Sequence, residues 1–164
     1  MILKKIKPLR ANNKEVLDQL YKKAQISIPK MLEHSVPKIF INGYIDSIPI
    51  NILLDTGGTT SIIDYYLLER LVRLEEIDYR TISTIGGFNG DIEYSLGYIP
   101  YIEVGLNSQN SLVPIAATVA NISIKNIKVD LLLGLNFLIS YNAKIDIENK
   151  KLYINNLEIS FSLN

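Results

Sequence analysis

Apolar positions in this chain come in short runs that alternate or stay continuous for a few residues and then stop at Gly, Asn, Asp or Pro. That is the pattern of many short strands joined by turns. Val36 to Ile45 predicts a strand, with Asn42-Gly43 as a hairpin turn signal. Ile48 to Leu54 predicts its return partner, and its near-continuous apolar character predicts burial on both faces at its end. Ser61 to Leu71 has helical spacing, with Ser61 or Asp64 as N-cap. Thr81 to Ile102 predicts a hairpin with alternating flanks and the tip Gly86-Gly87-Phe88-Asn89-Gly90. Tyr101 to Val104 and Ser111 to Val119 are further strands, followed by the strongly apolar Val129 to Gly134 and a short helix from Leu135 to Ser140. Residues 143–147 and 152–154 form another hairpin. The tail 157–163 alternates strictly, which predicts a half-buried strand that must be paired or covered.

The sum is an all-β barrel or sandwich with two short helices. Residues 1–34 stand apart as an N-terminal helical extension, in which Asn12 or Asn13 caps a helix through Gln25 before Pro29 ends it. The main domain is then 35–164.

Composition narrows the chemistry. The chain has 164 residues, 48% of them hydrophobic, enough for one packed core. No apolar run reaches the length of a transmembrane helix, and lysines interrupt the N-terminal apolar residues, so neither a membrane span nor a signal peptide is expected and the address is cytoplasmic. There is no cysteine, which removes disulfides, thiolate metal sites and cysteine nucleophiles. The single histidine, His34, excludes a multi-histidine zinc site, and no Gly-x-Ser-x-Gly elbow accompanies it. Hydrolytic chemistry would therefore rest on carboxylates, without metal or cofactor.

Net charge is zero but unevenly spread. Residues 1–34 hold eight Lys or Arg against three Asp or Glu, and the remainder holds nine against 14. A basic arm and an acidic body attract one another, which makes the arm a possible inhibitory prosegment or a docking element. No basic stripe interleaved with aromatics points to nucleic acid. The ten tyrosines read as strand and interface residues; one or two near the hairpin, such as Tyr94, are candidates to line a pocket, and the sequence does not say which.

The residues that carry chemistry are Asp55-Thr56-Gly57, at the end of the apolar run 48–54. A carboxylate at the mouth of a hydrophobic strand must cap something, pair with something or do chemistry. Asp-Thr-Gly after an apolar strand, then the Gly86-Gly87-Phe88 hairpin, then Leu132-Leu133-Gly134 before a short helix, in that order, resemble a retropepsin-like aspartic protease. The similarity covers about residues 36–164, and Gly134-Leu135-Asn136 also matches the family's Gly-x-Asn step into its helix.

The resemblance implies a retropepsin-like closed β-barrel and an aspartic endopeptidase. One chain supplies one catalytic residue, Asp55, so the resemblance implies a homodimer that meets at a two-fold axis and acts on an extended polypeptide. Two carboxylates about 3 Å apart share one proton. By the same resemblance Thr56 bonds across the two-fold, and Gly57 permits close approach of substrate and partner loop. Ile85, Gly86, Gly87 and Phe88 form the substrate-binding flap. Leu132, Leu133 and Gly134 pack beneath the catalytic loop as structural support. The tail 157–163 is the expected interface strand, its apolar face covered by the second copy. The chain departs from the family at Gly58, where Ala or Ser is usual; glycine cannot donate to the carboxylate and adds conformational freedom. That departure bears on working pH and activity level. It also leaves an alternative on the same fold, a catalytically inert peptide-binding or dimerisation module.

Overall fold

The computed structural model describes residues 37–86, 92–124 and 126–164. The expected helix at 12–25, the extension 1–34, His34, and Gly87 and Phe88 lie outside the described residues.

The strands are β1 (Ile39–Ile45), β2 (Ile48–Leu54), β3 (Ile62–Asp64), β4 (Thr84–Gly86), β5 (Ile92–Tyr94), β6 (Gly97–Leu106), β7 (Leu112–Ala120) and β8 (Leu131–Leu133), followed by β9 (Lys144–Asp146), β10 (Lys151–Ile154), β11 (Leu157–Ser160) and β12 (Ser162–Leu163). Helix α1 (Tyr65–Arg70) follows β3 and helix α2 (Leu135–Ser140) follows β8. The principal sheet has the order β12-β1-β2-β8-β3-β7-β6. It bends back on itself where β1 also pairs with β6, Gly43 opposite Leu106 and Tyr44 opposite Gly105. This contact is two residue pairs long, and the pairing draws no further closure of a barrel among the described residues.

β1 and β2 pair over their full length, Ile39 opposite Leu54 through Ile45 opposite Ile48. The turn is Asp46-Ser47, both residues at positive φ (49° and 66°), the two-residue geometry that suits the twist of a hairpin. It is not the expected Asn42-Gly43, which lies within β1. A Cβ at Gly43 would meet Ile52 Cδ1 at 2.3 Å and Gly105 O at 3.2 Å. Glycine is there because the Ile52 side chain of β2 fills the place a Cβ would take, with the Gly105 carbonyl of β6 also close.

β2 is buried on both sides at its end. Ile50, Ile52 and Leu54 enter the main core, while Leu53 joins a second cluster with Val129 and Leu132. The predicted helix over 61–71 is shorter, because Ile62 and Ile63 pair with β7 and β8 as strand β3. Asp64 is its N-cap: Oδ2 accepts the Leu67 N–H at 3.3 Å, and Oδ1 accepts the Ile122 N–H at 2.9 Å. Helix α2 matches its expected span. The hairpin flanks are shorter than 81–102: β4 and β5 pair over three residues, and β6 begins a separate strand at Gly97.

The tail alternates as expected, with Ile159 and Phe161 buried and Glu158, Ser160 and Ser162 exposed. It breaks at Phe161 into β11, paired with β10, and β12, paired with β1. Ile159 and Phe161 belong to the main core, so the tail's apolar face is covered by its own chain. That removes the reason for assigning it to a dimer interface. Among the described residues, no helix is long and apolar enough to cross a membrane.

Candidate active site

The position of Asp55 follows from the direction of three strands. β8 lies between β2 and β3, parallel to β2 and antiparallel to β3. The end of β2, the end of β8 and the start of β3 therefore share one edge. Residues 55–61 must cross over the end of β8 to pass from β2 to β3.

The crossing is tied down along its length. Asp55 N–H donates to Leu133 O at 2.9 Å. Leu135 N–H donates to Gly58 O at 2.7 Å, and Asn136 N–H to Thr59 O at 3.2 Å. Both donors belong to the first turn of α2, where a helix has no partners of its own. At the far end, Ser61 N–H and Ser61 Oγ both donate to Asn136 Oδ1 at 2.8 Å, and Gly134 N–H donates to Ser61 Oγ at 3.1 Å. A Cβ at Gly134 would meet Thr60 O at 2.6 Å and Gly58 O at 2.8 Å. Only glycine lets the loop lie this close over β8.

This frame presents the Asp55 side chain. The residue is half-buried, and its Oδ1 accepts the Gly57 N–H at 3.0 Å. Gly58 lies on the other oxygen's side, where an added Cβ would sit 3.0 Å from Oδ2. Thr56 is exposed.

Asp55, Gly57 and Gly58 line a cleft of about 590 Å³. The hairpin contributes Ser83, Thr84, Ile85, Gly86 and Glu93. Its base is pinned by Ser83 N–H donating to Ser95 Oγ, and Ser95 N–H to Ser83 O, each at 2.8 Å. Thr59, Thr60, Ile62 and Leu132 line the cleft from the loop and adjacent strands. Thr118, Ala120 and residues 121–124 add a further wall. Among the described residues no group of three or more His, Cys, Asp or Glu is placed to hold a metal ion.

The structure thus brings Asp55, Gly57, Gly58, Ile85, Gly86 and Leu132 to one cleft. Leu132 has a second part beyond packing: alternation sends Leu131 and Leu133 into the main core and Leu132 to the cleft face. Leu133 pairs with Leu54 and accepts the Asp55 N–H, and Gly134 lies under the loop, neither of them lining the cleft. Tyr94 is 73% exposed and is not a lining residue, contrary to expectation. Its cross-strand partner Thr84, by contrast, does line the cleft. Sequence reasoning missed the wall at 121–124, Glu93, and the part played by Ser61. Ser61 carried a signal as a polar residue before an apolar pair, but local spacing reads it as a helix cap.

Comparison with known proteins agrees with this architecture. A family model described as aspartyl protease matches residues 39–137, more than half of the chain. DNA damage-inducible protein 1 of Phaeosphaeria nodorum is 28% identical over 126 residues, 77% of this chain and 27% of that protein. DNA damage-inducible protein 1 of Candida glabrata is 29% identical over 150 residues, 91% of this chain and 33% of that protein. The chain thus spans a third or less of the curated relatives it matches. The crystal structure of the retroviral protease-like domain of Ddi1 from Leishmania major superposes with a TM-score of 0.59 at 22% identity, covering 76% of this chain and 96% of that one, and shares the fold. With its Asp-Thr-Gly loop held over β8 and this match across its body, the chain belongs to the aspartyl protease family, on the fold of a retroviral protease-like domain.

Proposed function

We propose that the chain is an aspartic endopeptidase whose catalytic residue is Asp55, working as a homodimer on extended polypeptides. The observation that carries this reading is the Asp55 carboxylate at the wall of a 590 Å³ cleft, on a loop fixed to Leu133, Leu135 and Asn136. A nucleophile-free hydrolase needs such a preorganised carboxylate and room for a substrate backbone.

One carboxylate cannot both remove a proton from water and deliver one to the peptide carbonyl. A second copy supplies the other Asp55, and mutual repulsion makes the pair hold one proton. The ionised member takes a proton from water while the water oxygen attacks the carbonyl carbon. The protonated member donates to the carbonyl oxygen, giving a neutral tetrahedral diol. The diol then collapses as the protonated carboxyl passes its proton to the leaving nitrogen and a diol hydroxyl returns one to the ionised carboxylate, releasing an acid and an amine and restoring the shared proton. The exposed Thr56 is free to bond across the two-fold, and Gly57 leaves room for the partner loop. The hairpin, with Ile85 and Gly86 lining the cleft, covers a substrate that lies as an added strand.

The test compares wild type with Asp55→Asn on a peptide library, with sedimentation of both. The isosteric amide can still accept the Gly57 N–H, so the variant folds and assembles as wild type does. Cleavage by wild type alone, blocked by a transition-state mimic and rising with dimer concentration, supports the reading. Cleavage that survives in Asp55→Asn overturns it. Peptide binding without turnover in wild type assigns the chain to the inert module instead.

A further inference from the structure

Glu93 has no part in this mechanism, yet it lines the same cleft. Its placement follows from register. β4 and β5 are antiparallel with Ile85 opposite Glu93, and directly opposed residues project from one face of a hairpin. Both line the cleft, with Glu93 an exposed residue at its wall. Of the neighbouring pair, Thr84 also lines the cleft, while Tyr94 is exposed and does not.

Among the described lining residues the charged ones are Asp55 and Glu93. The others are apolar, hydroxyl-bearing, amide or glycine, and no lysine or arginine is among them. Nor does Glu93 make an ion pair with another described residue. Among the described residues the cleft lining therefore carries two carboxylates and no cation, beside Ile62, Ile85 and Ile122.

We propose that Glu93 is a specificity-determining residue that selects a lysine or arginine side chain in the bound polypeptide. Such side chains lay an aliphatic stem on apolar surface and carry their charge at the end. The cleft offers both parts, isoleucines for the stem and a carboxylate for the head. An acidic side chain at the same position meets like charge from Glu93 and Asp55. The identification of the occupant as a polypeptide rests on the peptidase reading above; the charge preference does not depend on turnover.

The experiment uses matched peptides carrying Lys, Gln or Glu at each position flanking the scissile bond. Cleavage is measured with Asp55 intact. Binding of fluorescent versions to the full-length Asp55→Asn protein is measured by anisotropy. At one position the Lys peptide is preferred over Gln by about fivefold, the scale of a solvent-accessible ion pair. The preference disappears in Glu93→Gln, turns toward Glu in Glu93→Lys, and weakens with salt. A Lys-to-Gln ratio that is the same with and without the Glu93 charge at every position overturns the proposal, as does absence of peptide binding. Binding selectivity that depends on Glu93 without cleavage by wild type sinks the peptidase reading and leaves the role of Glu93 standing. The isosteric Glu93→Gln decides the matter even if charge reversal disturbs folding.

Discussion

Ser61 Oγ donates to Asn136 Oδ1 at 2.8 Å across 75 positions of sequence. The same hydroxyl accepts the Gly134 N–H, and it is fully buried. One side chain thus joins the end of the Asp55 loop to the start of helix α2. Ser61→Ala leaves the Gly134 N–H without its partner. We expect a loss of about 1–3 kcal/mol in urea unfolding, and a fall in peptide turnover larger than the lost folded fraction. A midpoint equal to that of wild type would show the bond to be incidental.

Two glycines near the cleft should respond oppositely to a methyl group. Gly134→Ala drives a Cβ into the backbone carbonyls of Thr60 and Gly58, which cannot rotate away. The expected cost is about 1–3 kcal/mol, with the Asp55 loop displaced. A Cβ on Gly86 meets nothing within 4 Å among the described residues, so Gly86→Ala should change stability by less than about 0.5 kcal/mol. Thermal unfolding of the two variants side by side checks the contrast.

Asp130 is a buried carboxylate with a structural task. Its Oδ2 accepts the Asn51 N–H at 2.8 Å, while Arg70 and Lys128 approach Oδ1 at 3.4 and 3.8 Å from exposed positions. The backbone bond should matter more than the ion pairs, because exposed charges are well solvated without a partner. Asp130→Ala is expected to lose about 1–3 kcal/mol. Asp130→Asn, which keeps an acceptor for Asn51, should recover most of it. Equal losses in both variants would mean that the charge, not the acceptor, is what counts.

The Arg73–Glu76 pair sets a pH dependence of known sign. Arg73 donates from Nη2 to Glu76 Oε2 at 2.7 Å and reaches Asp46 at 3.3 Å, tying the β1–β2 turn to the segment after α1. Hydrogen bonding from the Arg73 guanidinium holds the Glu76 carboxyl below its ordinary range. A carboxyl lowered on folding stabilises the protein above its unfolded pKa, and that contribution fades as pH falls through the folded value. The difference between wild type and Glu76→Gln should therefore be present near neutral pH and vanish in acid. Both side chains are partly solvated, so it should stay below about 1 kcal/mol and shrink with salt. A difference that grows on acidification would contradict the assignment.

Much of the fold was legible because its determinants are local. The bounds of β2 follow from a near-continuous apolar run, and those of α2 from its apolar spacing and the glycine before it. Alternation in the tail was correct residue by residue, since the inward positions of a strand repeat every two. Asn42-Gly43 misled because a glycine needed for a turn and a glycine that makes room for a neighbouring strand's side chain look alike in one dimension. Ser61 misled in the same way, as a serine before an apolar pair suits a cap as well as a loop clamp.

The order of Asp55-Thr56-Gly57, the glycine hairpin and Leu132-Leu133-Gly134 was enough, by itself, to name the family. Local chemistry carries that much, because strand periodicity, a helix cap and a loop glycine each act within a few positions. Tertiary structure decided the rest: that residues 55–61 pass over the end of β8, that Leu132 turns to the cleft while Leu133 anchors the loop, that Glu93 lines the cleft, and that the tail's apolar face is covered within one chain. These depend on strand direction and register between segments far apart in sequence. Such pairings are chosen by the packing of the whole sheet, and no short stretch of residues encodes them.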